Sequence, residues 1–380
     1  MARNSTTLGG MLAESDVLIV GAGIVGLAHA AEALRRGHTV TVIDRDSRAV
    51  GASVRNFGHC CVTAQSGELL DLAQVARERW LHYSGQAGFF SVESGALTVA
   101  RNPEELAVLD ELSASREAGQ VRLIDAAAVR DELSFGERVG DAAILGGAIL
   151  RDDLRVDPRE AVASLAAWLQ SQGVTFHWRT AYLGHNGDAV TSRGSIRAGR
   201  TVVCVGHDLD YLEPQLAADH AIERCGLQMA RVEAPGGRRI ARAVLTGTSM
   251  LRYPAFTGTA AAAALRERVA SEDPGLVAVG ANVMFTQRPD GTIIAGDSHR
   301  YGDTMDPFLA EATTEVLLQR VGEVLGEAHL RVVERWQGVY ASSAQHPYLI
   351  ADLAPGVTAV SVTSGVGMTI SFGLAGRTFS

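Results

Sequence analysis

Asp16-Val-Leu-Ile-Val-Gly21-Ala-Gly23-Ile-Val-Gly26 decides the fold, together with the breaker-free run to Arg36 and a second apolar run from Thr39 to Ile43 that ends in Asp44. Val17 to Val20 is short, apolar and bounded by glycine, which predicts a buried parallel strand. Ile24 to Arg36 has helical spacing, and Gly37-His38 closes it at the C-terminal cap position. Strand, turn, helix and strand occupy about 30 residues, the size of a βαβ crossover. Gly21 permits the tight turn, Gly23 lets the backbone approach a pyrophosphate, and Gly26 lets the helix pack closely on the strand. The helix N-terminus at Ile24 and Val25 then offers unpaired N–H groups and a positive dipole end to phosphates. Asp44, followed by Arg45, sits at the separation needed for a carboxylate binding ribose hydroxyls. A glycine-rich turn alone would be weak; strand, helix and acid together point to a dinucleotide.

The motif does not separate FAD from NAD, but the next segment does. Gly51-Ala52-Ser53-Val-Arg55-Asn56-Phe57-Gly58 stands where an NAD domain would proceed to another helix and strand. Small residues here suit a loop running along the pyrophosphate and ribityl chain towards a flavin. Asp44, rather than a basic residue, also disfavours a 2′-phosphate.

Further along, helices are expected at Glu68–Tyr83, Pro103–Ala118, Pro158–Gln172 and Leu309–Leu325, with strands at Val174–Trp178 and Thr201–Val205. Between about 220 and 300 the pattern shifts to alternating strands, with Asp290-Gly291 as a turn between Val279–Phe285 and Ile293–Ala295. No repeat or low-complexity linker appears. The expected fold is α/β: a discontinuous Rossmann-like FAD-binding domain (15–85, 143–215 and 330–380), with an inserted substrate domain of mixed or antiparallel sheet plus helices (86–142 and 216–329). Residues 1–14 are expected to be a flexible tail.

The chain has 380 residues, 47% of them hydrophobic and 20% charged, which suits two globular domains and excludes disorder. A net charge of −9 and the lack of a Lys/Arg run make nucleic acid an unexpected partner. None of the four cysteines (60, 61, 204 and 225) forms a CxxC pair, so neither a metal site nor a disulfide framework is expected. The N-terminal segment lacks the apolar core of a signal peptide, and no apolar run is long enough to span a membrane. A cytoplasmic location is expected, with a monomer or homodimer as the assembly.

Four separated segments resemble the D-amino acid oxidase superfamily, which includes glycine oxidase and monomeric sarcosine oxidase. They are Gly21–Gly26, Gly51–Gly58, Thr201-Val-Val-Cys-Val205-Gly206 and Ser364-Gly365-Val366-Gly367-Met368-Thr369-Ile-Ser371. The resemblance implies that the last loop places backbone N–H groups over the pyrimidine end of the flavin, where negative charge develops on reduction. It also implies that Tyr182 makes a backbone contact to adenine. Arg55-Asn-Phe-Gly58, Leu251-Arg-Tyr-Pro-Ala-Phe256, Gly296-Asp-Ser-His299, Gly338-Val-Tyr-Ala341 and Gly365–Thr369 are similar to a subgroup associated with phosphonate metabolism, acting on amino- or N-alkylaminophosphonates. Two departures matter. Tyr340 stands where glycine and D-amino acid oxidases carry an Arg that grips the substrate carboxylate. No Cys lies near Gly338, where sarcosine oxidases attach FAD, so FAD is expected to be non-covalent.

The reaction so implied needs flavin N5 as hydride acceptor and a donor C–H held over it with the amine unprotonated; positioning groups matter more than an obligatory acid–base side chain. The candidates for the substrate side are Arg252, Tyr253, His299, His59, Tyr340 and His346. Arg252 and Tyr253 read equally as an exposed Arg beside a core Tyr. His299 reads also as a loop histidine capping local backbone. His59 follows the flavin-approaching Gly58 and is expected beside the ring. His346-Pro347 reads also as a turn. The expected partners are a small-molecule amine and dioxygen or another electron acceptor. The alternatives are a secondary amine or amino acid oxidase or dehydrogenase acting on a carboxylate, and a flavin-binding subunit of an electron-transfer complex.

Overall fold

A computed structural model describes residues 10–135 and 143–380. The first strand, Met11–Val20, is followed by the helix Ile24–Arg35 and the strand Val40–Asp44, as the glycine motif predicts. Val17 to Val20 pair in parallel with Val40 to Ile43 on one side and with Arg200 to Val203 on the other. Leu18 and Ile19 are fully buried, because covered parallel strands carry apolar side chains on both faces. The sheet extends through Thr175–Trp178 on one edge and Val357–Val362 beyond Gly194–Val203 on the other, so chain-terminal and central segments share one sheet.

The strand begins at Met11, where a tail was expected: Met11 to Ser15 pair with Ser195 to Ala198. Residues 1–9 of that expected tail lie outside the described residues.

The second sheet has nine strands, mostly antiparallel, drawn from residues 96–150, 223–302 and 332–342. Two of its strands cross the expected domain boundaries. Gly146–Leu150 pairs with Ala96–Ala100 and Val121–Asp125, and Val332–Ser342 pairs along Glu223–Val232. Nothing local in either segment names its sheet; pairing partners elsewhere in the chain assign both to the second one. Residues 136–142 of the expected substrate domain lie outside the described residues. The expected strand Val279–Phe285 is shorter, Met284–Gln287, because Pro274–Ala278 forms a helical turn before it. A mixed α/β fold with a Rossmann-like portion and a second sheet is therefore the architecture.

Two tethers set the geometry between the sheets. Thr286 donates to the Phe57 carbonyl (2.6 Å), and Arg55 donates to the Gln337 carbonyl (3.1 Å). Both fasten the Gly51–Gly58 loop, which belongs to the nucleotide side, onto strands of the second sheet. The C-terminal helix Gly367–Thr378 is fixed at its start by Trp80, whose Nε1 donates to the Met368 carbonyl at 2.7 Å.

Candidate active site

One cavity of about 390 Å³ runs from the carboxyl ends of the parallel strands to the face of the second sheet. Open α/β sheets hold ligands at this end.

At the nucleotide end, Gly21 has φ +101°, and a Cβ there would come within 2.4 Å of the Cys204 carbonyl oxygen. A Cβ on Gly26 would lie 1.9 Å from the Gly21 oxygen, so only glycine lets the helix start this close to the strand. Asp44 accepts from the Ala22 N–H (2.8 Å) and the Asp46 N–H (2.9 Å), which holds the turn against the second strand. Burial raises its carboxyl above the ordinary range, against the pull of those two donors. Ser53 accepts from the Ile24 N–H at 2.9 Å, bringing the second small-residue loop onto the helix N-terminus. Asn56 ties the loop internally: its amide donates to the Ala52 and Ser53 carbonyls, and its oxygen accepts from the Gly58 N–H. Gly21, Gly23, Ile24, Val25, Asp44, Arg45, Ala52, Ser53, Arg55, Asn56, Phe57, Tyr182, Val205, Gly206, Gly338, Gly365, Gly367 and Met368 all line the cavity.

Four residues expected at the cofactor do not line it. Gly26 and Gly58 are packing glycines; a Cβ on Gly58 would lie 2.0 Å from the Val156 carbonyl oxygen. Val366 turns into an apolar cluster with Val62, Leu72 and Ile370. Thr369 accepts from the Cys61 N–H at 3.0 Å, one helical turn below the loop.

At the far end, Arg252, Tyr253, His299 and Tyr340 line the cavity together, and Asn282 and Asp297 join them. Arg252 donates to the Tyr340 hydroxyl (2.7 Å) and, at 3.4 Å, to that of Tyr301. Among the described residues no carboxylate lies within ion-pair distance of Arg252. Burial opposes its charge, but Tyr340, Tyr301 and Asp297 hold the guanidinium above its usual value. Tyr253 reaches towards Met284 (3.6 Å).

Asp297 is 4% exposed, and burial pushes its carboxyl up to about 7, against the pull of Arg252 and of the Asn282 amide that donates to it at 3.0 Å. His299 Nδ1 lies 2.9 Å from the Gly280 carbonyl, so that nitrogen carries the hydrogen. Its Nε2 then offers a lone pair 3.8 Å from Asp297 Oδ2. Burial, with Arg252 nearby, lowers the His299 pKa to about 3, so the ring is neutral. Asn282 and Asp297 escaped the sequence reading. Asp297 stood in Gly296-Asp-Ser-His299, but a buried carboxylate is visible only once the strands enclose it, and Asn282 carried no signal of its own.

Two expected site histidines lie elsewhere. His59 pairs its Nε2 with Asp153 Oδ2 at 2.7 Å, buried away from the cavity, because the short strand His59–Cys60 pairs against Leu154–Arg155. Cys61 stands beside this pair, but the other Asp153 oxygen already accepts from the Thr63 N–H. His346 is exposed in the turn before Pro347, with its ring against His220.

The sequence from residue 16 to 379 matches the pattern of the family described as FAD dependent oxidoreductase (DAO). The chain belongs to this DAO family. FAD is accordingly the cofactor, and the lining fits a dinucleotide: the glycine turn that no Cβ could occupy, the helix N-terminus and Asp44 all border the cavity. Three solved structures of similar fold are glycine oxidase from Geobacillus kaustophilus (TM-score 0.74, 19% identity, 96% of this chain and 93% of that one), L-proline dehydrogenase from P. horikoshii (0.76, 19%, 95% and 91%) and L-alpha-glycerophosphate oxidase from Mycoplasma pneumoniae (0.75, 16%, 96% and 94%). A KsdD-like steroid dehydrogenase from Mycolicibacterium smegmatis is 33% identical over 84 residues, and the match spans 20% of this chain and 15% of that protein. Among the described residues of this DAO family member, no helix is long and apolar enough to cross a membrane.

Proposed function

We propose that the chain oxidises a C–N bond in a small anionic amine, best matched by an amino- or N-alkylaminophosphonate. The observation that carries this reading is Arg252, a guanidinium facing the cavity that, among the described residues, has no carboxylate partner and hydrogen-bonds to tyrosine hydroxyls. A half-buried cation in that state is complementary to an anion. The hydroxyl of Tyr340, which lines the same cavity, accepts from Arg252 and keeps its O–H group to donate. This donor set suits the three oxygens of a phosphonate better than the two of a carboxylate.

FAD, held non-covalently by the Gly21–Gly26 turn, the Gly51–Gly58 loop and the Gly365–Met368 loop, would supply the hydride acceptor, with dioxygen or another acceptor taking up the electrons. The protein does the rest. Arg252 and Tyr340 hold the anion, which fixes where the amine and its α-carbon lie. Asp297, with a pKa near neutrality and the neutral His299 beside it, takes the ammonium proton so that the nitrogen lone pair is free. Water then hydrolyses the resulting imine to an aldehyde and an amine or ammonia.

Anaerobic titration of the yellow protein with 2-aminoethylphosphonate, its N-methyl derivative, glycine and sarcosine tests the reading. Bleaching of the flavin by a phosphonate, and not by its carboxylate counterpart, is the expected result. Bleaching by glycine or sarcosine alone would assign a carboxylate substrate gripped by Arg252. A flavin that no amine reduces would favour an electron-transfer subunit.

A further inference from the structure

A second cavity of about 380 Å³ abuts the first and shares Arg252, Tyr253, Tyr340 and Ser364 with it. The partition between the two is the hydrogen bond from Arg252 to Tyr340. The outer chamber is lined by polar groups, among them Gln65, Ser343 and Thr363, and by one carboxylate, Glu223.

Glu223 opens the strand Glu223–Val232, and among the described residues no cation lies within ion-pair distance of it. The next residue, Arg224, cannot neutralise it. Successive side chains leave a strand on opposite faces, and Arg224 is committed to Asp208 and Asp210 on the other side. One chamber is thus bordered by a guanidinium and a carboxylate, each without an ionic partner. Two such charges at separate walls complement a molecule that carries both signs.

We propose that the outer cavity is a capture subsite for the zwitterionic form of the substrate, its ammonium towards Glu223 and its anionic group on Arg252. This rests on the amine reading above. Arg252 serves both chambers, so a shift of its guanidinium hands the anion inward. The ammonium leaves Glu223 and meets Asp297, where it loses its proton. Glu223 is a specificity-determining residue in this scheme and touches no reacting atom.

The test is rapid-mixing anaerobic flavin reduction by the amine that bleaches the holoenzyme, with ethylphosphonate as a plain anion read by its perturbation of the flavin spectrum. In E223Q, the second-order constant for capture of the zwitterion should fall roughly 3- to 10-fold at low salt, while the limiting reduction rate holds. Ethylphosphonate should bind E223Q as tightly as wild type or more tightly, since a repelling charge is gone. E223D should behave as wild type. Loss of both ligands together in E223Q, or no change in zwitterion capture, would overturn the proposal and leave amine oxidation standing. Should E223Q lose FAD, the wild-type enzyme decides: zwitterion capture that is no more selective over ethylphosphonate at low salt than at high salt overturns it. If no amine bleaches the flavin, both readings fall.

Discussion

Arg252 shows how far single residues could be read. Its type was legible, a cation before Tyr-Pro in the expected substrate portion, but its lack of a carboxylate partner was not, because ion pairing depends on neighbours from distant strands. Arg252→Gln is expected to weaken binding of the anionic substrate by about 2–5 kcal/mol, roughly 30-fold or more in Kd, measured by flavin perturbation titration. Arg252→Lys should rescue it only in part, since an ammonium lacks the planar fork. Asp297 makes a separate prediction. Its carboxyl titrates near pH 7, so below that pH it is protonated and cannot accept the amine proton. The limiting rate of flavin reduction should therefore fall as pH drops through about 7, and Asp297→Asn should remove this inflection and lower the rate by about 100-fold or more. A wild-type profile without that inflection would remove Asp297 from the proton path. His59 is the instructive misreading: adjacency to Gly58 in sequence put it near the ring, but strand alternation turned its side chain onto Asp153.

Among elements, the glycine turn and the first helix were the most legible, because their constraints are local. Gly26→Ala places a methyl 1.9 Å from the Gly21 oxygen, and only displacement of the helix N-terminus relieves this. The expected cost is about 1–3 kcal/mol in stability, with FAD retention lost in parallel, checked by thermal unfolding and by gel filtration of the yellow protein. Unchanged FAD content in that variant would show that the close helix approach is dispensable. Strands were less legible. The segments at 146–150 and 332–342 carry acceptable strand patterns, but nothing local says which sheet they join.

At the scale of the whole molecule, the first and last helices are joined by His29, which is fully buried. Its Nδ1 lies 2.7 Å from the Val25 carbonyl and its Nε2 3.0 Å from the Thr378 hydroxyl. Burial lowers its pKa from 6.5 to about 4. Its stabilising contribution is therefore present above pH 6.5. It is lost as pH falls towards 4, because the unfolded chain takes up the proton first. The expected loss over that window is about 3 kcal/mol, on the order of 1.4 kcal/mol per pH unit. His29→Gln should flatten this part of the acid dependence in urea unfolding of the holoenzyme. An equally steep profile in the variant would place the acid sensitivity elsewhere.

Composition and motif order by themselves determined a two-part α/β chain with a dinucleotide site and FAD. Those features rest on local rules: a glycine where no Cβ fits, an acid at the end of the next strand, apolar runs of strand length. Only the tertiary structure decided that Arg252 faces a cavity without an ionic partner, that Asp297 titrates near neutrality, and that His59 and His346 stand outside the site. Burial, ion pairing and desolvation are set largely by groups from distant parts of the chain: Arg252 meets Tyr340, His59 meets Asp153 and Arg55 meets Gln337, and no short window along the sequence contains both partners of any of these pairs.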